Sequence, residues 1–110
     1  VSPALAERAV SNMIDNAVKW SPPDSKIRVA VLRGAVIVRD DGPGIPMNER
    51  ERVFERFYRT EEARSLPGSG LGLSIVRHVA DTFGGRARIV DEERVGTTIE
   101  LVFPEVRQTQ

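Results

Sequence analysis

Apolar residues recur at intervals of three and four in two long stretches of the chain, which is the pattern of an amphipathic α-helix. The first stretch spans residues 3–20 and the second spans residues 70–83. The apolar positions are Leu5, Ala9, Val10, Met13, Ile14 and Ala17 in the first, and Leu71, Ile75, Val76, Val79, Ala80 and Phe83 in the second. Prolines at 22 and 23 follow the first stretch and glycines at 84 and 85 follow the second, so each predicted helix ends at a breaker.

Shorter apolar runs predict four β-strands, at residues 26–32, 35–40, 86–91 and 97–103. A short turn joins the first two strands, and a connection that ends at Gly96 joins the last two, so each pair is expected to form a hairpin. The second run is the most uniformly apolar, as is typical of a central strand. A short helix is predicted at residues 47–54, with Met47, Val53 and Phe54 facing inward.

The 110 residues suit one domain, which we assign to residues 1–104, with a frayed tail at 105–110. Sixteen basic and sixteen acidic residues cancel, so neither nucleic acid nor a membrane surface is indicated as a partner. The chain has no cysteine, which excludes disulfides and thiolate metal sites. No apolar run approaches the length of a membrane span. Because the first residues lead almost directly into a helix, we expect a fragment of a longer protein.

Glycines at positions 68, 70 and 72 directly precede the second predicted helix. Glycine lets the backbone approach a ligand closely, and the start of a helix offers unpaired N–H groups and the positive end of the helix dipole. The combination favours a phosphate site, although a glycine cluster before a helix can also be an ordinary loop. It is neither a P-loop, because the chain has no Gly-Lys pair, nor a dinucleotide fingerprint, because the third glycine comes one residue early.

Asn12 and Asn16 lie four residues apart in the first helix and therefore on one side of it, with Lys19 beside Asn16. Asparagine is a mediocre helix former, so two of them in mid-helix call for a reason. They are either part of a solvated flank or a pair of amide oxygens for a hydrated Mg²⁺, with Lys19 as a counter-charge for phosphate. One or two amides suffice for this ion, which keeps waters and phosphate oxygens as its other ligands.

Asp40 ends the predicted central strand and is followed by the turn Gly42-Pro43-Gly44. An aspartate in this position can cap the turn through its own side chain. It can also be a carboxylate at the floor of a pocket, where it would accept a hydrogen bond from an amine of a ligand. The sequence alone leaves both interpretations open.

Three further features have an ordinary structural interpretation. The aromatic cluster that includes Phe54 and Phe57 suits a small core under a loop. Gly96-Thr97 suits a turn followed by a strand, although it repeats the theme of a glycine beside a polar group. The only histidine, His78, falls between the apolar positions of the second helix, which is typical of a surface residue.

Four of these stretches, taken in order and at these separations, resemble the catalytic ATP-binding domain of bacterial sensor histidine kinases, in the GHKL superfamily. The resemblance covers residues 5–103. The N box is matched by Asn12, Asn16, Lys19 and Trp20, the first glycine box by Asp40, Gly42 and Gly44, the F box by Phe54 and Phe57, and the second glycine box by Gly68, Gly70 and Gly72. Gly96 and Thr97 resemble a weaker third glycine box.

The resemblance implies an α/β (α+β) two-layer sandwich of the Bergerat type, with helices on one face of a mixed β-sheet. It implies that Asn16 holds Mg²⁺, that Asn12 and Lys19 assist catalysis, and that Asp40 accepts from the adenine amine. The implied nucleotide contacts are Asn16, Lys19, Trp20, Asp40, Gly42, Gly44, Ile45, Phe57, Arg59, Gly68, Gly70, Leu71, Gly72, Leu73 and Thr97. The family usually has further strands before the N box, and those are absent here.

By the same resemblance the chain is the catalytic domain of a protein histidine kinase in a two-component system. It would use ATP and Mg²⁺, and it would donate the γ-phosphoryl group to a histidine on a separate dimerisation domain that is not in this chain. A response regulator would be an indirect partner, and the isolated domain is expected to be a monomer. The domain is expected in the cytoplasm, in a parent protein anchored in the cell membrane.

Three other functions are open to this fold. ATPases of the same superfamily carry a glutamate at the position of Asn12, and an amide cannot act as a general base towards water. Serine kinases of the anti-sigma-factor type share the fold but usually lack the F box. A non-catalytic nucleotide-binding module would be expected to lose one of the motif residues, and Asn16, Asp40 and the glycines are all present.

Overall fold

The computed structural model describes residues 3–55, 72–90 and 95–104. These residues contain two α-helices and four β-strands: α1 (Pro3–Trp20), β1 (Arg28–Leu32), β2 (Ala35–Asp40), α2 (Gly72–Thr82), β3 (Arg86–Ile89) and β4 (Thr97–Val102). Two short 3₁₀ helices, Met47–Glu49 and Arg52–Phe54, lie between β2 and α2. The predicted tail at 105–110 lies outside the described residues.

The four strands form one sheet in the order β1-β2-β4-β3, in which β2 is central as predicted. Both predicted hairpins are present, and β2 pairs with β4 with Val38 opposite Ile99. Every pair among the described strands is antiparallel, so the parallel pairing that a mixed sheet requires does not occur in this part of the chain. Two of the three described pairs are hairpins, whose strands are necessarily antiparallel. The third pair joins the hairpins through β2 and β4, which also run in opposite directions.

The core lies between one face of the sheet and the two helices, which confirms the two-layer sandwich. Cross-strand partners point to the same face, so Val38, Ile99, Leu101 and Ala87 share the face that packs on the helices. The helices contribute the buried residues Ala9, Met13, Ala17, Leu73, Val76, Val79 and Ala80. Burial of each larger aliphatic side chain contributes about 1.5–3 kcal/mol, so this shared core is what fixes α1 against α2.

Both helices end at their C-terminal side where the breakers predict, α1 at Trp20 before the prolines and α2 at Thr82 before the glycines. Gly84 has a φ of 74°, and the N–H of Gly85 donates to the carbonyl of Ala80 at 2.8 Å, which is the hydrogen bond that closes a helix C-terminus of the Schellman type. A Cβ on Gly85 would overlap the carbonyl oxygen of Val102, so this glycine lets the chain after α2 lie close against the end of β4. None of the described helices is long and apolar enough to cross a membrane.

The prediction for residues 47–54 is only partly correct. The segment forms two 3₁₀ helices in place of one helix, and Val53 and Phe54 are buried as expected. Met47 is 71% exposed, so its predicted inward orientation is wrong. Met47 is the first residue of the first 3₁₀ helix and directly follows Pro46, which has an extended backbone.

Candidate functional site

Asp40 lies at the end of the central strand and is 1% exposed. Its Oδ1 atom accepts a hydrogen bond from the N–H of Gly42 at 2.8 Å and another from the N–H of Thr97 at 3.3 Å. The first of these bonds is the side-chain turn that the sequence allows, and the second ties the carboxylate to the start of β4. The two interpretations of Asp40 are therefore compatible, because the turn holds a buried carboxylate in a fixed orientation.

Three glycines bring the backbone close around this carboxylate. A Cβ on Gly42 would lie 2.8 Å from the carbonyl oxygen of Trp20 and 3.0 Å from Asp40 Oδ1. Gly96 has a φ of 114°, and a Cβ there would overlap the carbonyl oxygen of Asp40. Gly44 has a φ of 84°, and its Cβ would lie 3.2 Å from the carbonyl oxygen of Gly96. The end of α1, the turn after β2 and the start of β4 therefore meet at one place.

Trp20 and Ile45 are half-buried at this end of the site. Ile45 packs against the core, and its carbonyl oxygen accepts from Nε of Arg50 at 3.2 Å. Thr97 is 6% exposed and contributes its backbone N–H to Asp40. Thr97 therefore contacts Asp40, and Trp20 lies beside Gly42, whereas Phe57 and Arg59 lie outside the described residues.

Ser21 is a residue of this region that the sequence reasoning did not select. It directly follows Trp20, its N–H donates to the carbonyl of Ala17 at 3.0 Å, and its hydroxyl oxygen is buried. That hydroxyl has no hydrogen-bond partner among the residues that the structure describes. An unpaired buried polar group costs about 1–3 kcal/mol, so a bound ligand or water that paired with it would recover this energy. Its position directly after the N box is the only signal in the sequence.

Asn12 and the start of α2 form the second part of the site. The Asn12 amide donates through Nδ2 to the carbonyl of Arg8 at 3.0 Å, within its own helix. Its Oδ1 atom is directed towards α2, since a Cβ on Gly72 would lie 3.9 Å from that oxygen. Asn16 is half-buried one turn further along the same side of α1, and Lys19 is exposed. The structure thus places Asn12, the first of the two amides, beside the start of α2.

Helix α2 is described from Gly72 onward, and the first two residues of the predicted helix, 70 and 71, lie outside the described residues. The side chain of Leu73 is 8% exposed and belongs to the core, so Leu73 can reach a ligand only through its backbone N–H group. The predicted contacts Gly68, Gly70 and Leu71 lie outside the described residues. The first N–H groups of a helix have no partner within it and carry positive partial charge, which suits an anion.

The donor set suits a metal ion that arrives with a nucleotide. No group of three or more His, Cys, Asp or Glu side chains that could hold a metal occurs in the described ranges. The side chain shown beside the start of α2 is the amide of Asn12, and an amide is a weak ligand on its own but acceptable to Mg²⁺ when phosphate oxygens complete the shell of the ion. Helix α1 links the two regions, because Trp20 at its end lies beside Gly42 and Asn12 lies beside Gly72.

The chain matches, over residues 2–107, the family of histidine kinase-, DNA gyrase B- and HSP90-like ATPases. The signal transduction histidine-protein kinase/phosphatase MprB of Mycolicibacterium vanbaalenii is 52% identical over 88% of this chain and 22% of its own length. MprB of Mycobacterium tuberculosis is 46% identical over 88% of this chain and 21% of its own length. The chain thus spans about a fifth of the length of these curated relatives.

Solved structures agree with the sequence relatives. The mycobacterial sensor histidine kinase MprB superposes with a TM-score of 0.79 at 42% identity, over 94% of this chain and 72% of that chain. The ATP-binding domain of PrrB from Mycobacterium tuberculosis superposes with a TM-score of 0.69 at 30% identity, over 96% of this chain and 70% of that chain. Full-length ShkA, solved in complex with AMPPNP, has a TM-score of 0.67 at 26% identity, over 93% of this chain and 22% of that chain.

Proposed function

Because the chain belongs to the family of histidine kinase-, DNA gyrase B- and HSP90-like ATPases, and within it is the ATP-binding catalytic domain of a histidine kinase, we propose how its residues divide the work. ATP binds along α1, with the adenine at Asp40 and the phosphates between Asn12 and the start of α2. The observation that carries this proposal is the approach of Asn12 Oδ1 to Gly72, which brings two motifs 60 residues apart in the sequence to one place.

Asp40 is the base-recognition residue of this proposal. Its Oδ1 atom is oriented by the N–H groups of Gly42 and Thr97. An ionised carboxylate has about four acceptor positions, so it can also accept from the exocyclic amine of adenine. Guanine presents a carbonyl oxygen at that position, which would leave two acceptors facing each other. Asp40 therefore favours ATP over GTP.

Asn12, Asn16 and Lys19 serve the phosphate end of the nucleotide. Asn16 is the proposed Mg²⁺ ligand, Asn12 assists at the metal or the phosphates, and Lys19 supplies positive charge. The bound ion would neutralise negative charge on the phosphate oxygens, which is a large part of what catalysis of phosphoryl transfer requires. The first N–H groups of α2 add fixed positive partial charge to the same end.

The phosphoryl acceptor is proposed to be a histidine on a separate dimerisation domain. The chain's own histidine, His78, is exposed on α2, about 9 Å along the helix axis from Gly72 at 1.5 Å per residue. Transfer requires an acceptor about 3–3.5 Å from the phosphorus, so His78 is too far along a rigid helix to serve. Asn12 cannot take a proton from water, which disfavours the ATPase alternative. The named relatives are histidine kinases, and nothing favours the anti-sigma-type serine kinase.

The remaining partners follow from the same proposal. A response regulator would receive the phosphoryl group from the acceptor domain, and the isolated chain would be a monomer that binds ATP. The parent protein would hold this domain in the cytoplasm and be anchored in the cell membrane.

Titration calorimetry tests the nucleotide assignment directly. We expect the non-hydrolysable analogue AMPPNP to bind, Mg²⁺ to strengthen its binding, and GTP to bind at least about tenfold more weakly than ATP, which corresponds to one unmatched buried polar contact. Equal affinity for ATP and GTP would contradict the role of Asp40. Absence of any binding would contradict the proposed function as a whole.

A further inference from the structure

Arg77, in the middle of α2, contacts three residues in two separate parts of the chain. Its two terminal nitrogens each lie 3.2 Å from one carboxylate oxygen of Glu51. One of them also donates to the carbonyl of Ala87 in β3 at 2.8 Å. The guanidinium carbon lies 4.1 Å from the centre of the Phe54 ring. One side chain thus joins α2 to β3 and to the second 3₁₀ helix, which Glu51 precedes and Phe54 ends.

The contacts differ in strength, and the weakest is the ion pair itself. The side chain of Glu51 is 79% exposed and that of Arg77 is 29% exposed, and exposed ion pairs contribute little stability. Arg77 lowers the pKa of Glu51, mainly through its hydrogen bond and secondly through its charge, which agrees with the bidentate geometry of the pair. The stacking on Phe54, which is 4% exposed, and the bond to a backbone carbonyl engage groups that cannot move easily.

A lysine cannot reproduce this set of contacts. Arginine has a planar group with five N–H donors, so it can bind both oxygens of a carboxylate, a carbonyl and an aromatic face at once. Lysine has the same charge but presents a compact ammonium group. The arrangement therefore depends on the shape of the guanidinium group as well as its charge.

The consequence for the nucleotide site comes through the position of α2. Arg77 is five residues after Gly72, about 7.5 Å along the helix axis. Contacts to β3 on one side and to Phe54 on the other restrain both the rotation of α2 and its movement along its axis. The first turn of α2 is the part that lies beside Asn12 Oδ1. A small rotation of the helix would direct its first N–H groups away from that position.

We propose that Arg77 is a positioning residue for the phosphate end of the nucleotide site, which it serves by holding α2 so that its first N–H groups stand beside Asn12. This inference rests on the proposed function. It assigns no contact between Arg77 and the nucleotide. It predicts that loss of Arg77 weakens the binding of phosphate and leaves the recognition of adenine by Asp40 intact.

The experiment compares two ligands that share the base and differ in the phosphates. Binding of ADP with Mg²⁺ is measured by calorimetry, and binding of adenosine by ligand-observed NMR, for the parent chain and for Arg77→Met, Arg77→Lys and Glu51→Gln. The matched control is Arg88→Met, since Arg88 also pairs with a glutamate, Glu100 at 2.7 Å, but on the face of the sheet away from the helices.

We expect Arg77→Met to weaken ADP binding by about tenfold, the equivalent of one hydrogen bond to a charged group, while adenosine affinity changes by less than about twofold. Arg77→Lys should show the same selective loss to a smaller extent, and it keeps the test decisive if the methionine variant does not fold. Glu51→Gln and Arg88→Met should bind both ligands nearly as the parent does.

Two results would overturn the inference. One is unchanged ADP affinity in a folded Arg77 variant, and the other is an equal loss for ADP and adenosine, which would show a general structural role. Failure of the parent chain to bind ADP would instead contradict the proposed function, so the two failures are distinguishable.

Discussion

Replacement of Asp40 by asparagine and by alanine should separate its structural role from its role in base recognition. In Asp40→Asn, the side-chain oxygen can still accept from the N–H groups of Gly42 and Thr97, so both buried donors keep a partner. The loss is the charge of the acceptor, and a hydrogen bond to a neutral group contributes about 1 kcal/mol less than one to a charged group. We expect this variant to lose about 1–2 kcal/mol of stability.

In Asp40→Ala, both N–H donors lose their partner at a buried position, since Asp40 is only 1% exposed. Each unsatisfied buried group costs about 1–3 kcal/mol, so the two together cost about 2–6 kcal/mol. Small domains have a total stability of about 5–15 kcal/mol, so the alanine variant is expected to approach the limit of folding. Urea unfolding followed through Trp20, the only tryptophan of the chain, measures both variants.

Nucleotide binding should respond strongly to Asp40→Asn, although this variant loses less stability than Asp40→Ala does. Asparagine at position 40 places an NH₂ group where the adenine amine also donates, so ATP affinity should fall at least about tenfold. The same NH₂ group can donate to the carbonyl of guanine, so the preference for ATP over GTP should shrink or reverse. ATP affinity equal to that of the parent in folded Asp40→Asn would refute the base-recognition role, and equal stability of the two variants would refute the structural role.

Three further predictions concern the metal, a glycine and pH. Asn16→Ala should keep the native circular dichroism spectrum but lose the increase in ATP affinity that Mg²⁺ produces in the parent, and retention of that increase would place the metal ligand elsewhere. Gly96→Ala should destabilise the chain more than Gly84→Ala in urea unfolding. Both substitutions strain a backbone of positive φ by about 1–2 kcal/mol, but only at Gly96 would the new Cβ overlap an oxygen atom. Equal losses of stability would show that this overlap is relieved without cost. The pKa of Glu51 is lowered, so its pairing with Arg77 contributes stability above the ordinary pKa of 4.5. That contribution is lost as the pH falls through the lowered pKa. Any stability difference between the parent and Glu51→Gln should therefore disappear in acid, and a difference that grew in acid would contradict this.

The helices and strands were predictable because their signals are local. Helix α1 spans the predicted residues, since the apolar spacing and the prolines after it both act within a few residues. Gly84 and Gly85 stop α2 through hydrogen bonds to the preceding turn, which is again a local effect. The exposed Met47 was predicted wrongly, because one apolar residue in a short segment carries no periodicity that could fix its direction.

The site was predictable in its residue types and less so in its contacts. The roles of Asn12 and Asp40 were inferred from chemistry and resemblance, but the approach of Asn12 to Gly72 depends on how α1 packs against α2. The unpaired hydroxyl of Ser21 depends on its burial in the folded chain, which the local sequence does not reveal. The contacts of Arg77 join positions 51, 54 and 87, and no local pattern relates those positions.

Phosphoryl transfer between this chain and a separate acceptor domain is the most direct measurement of the central claim. The chain is mixed with the proposed acceptor domain and with ATP labelled on the γ-phosphate, and the label on each polypeptide is followed over time. The account predicts label on the dimerisation domain alone, in a linkage that is labile in acid and stable in base, and no rapid labelling of this chain. Rapid phosphorylation of His78, or an acid-stable label on a serine, would contradict it.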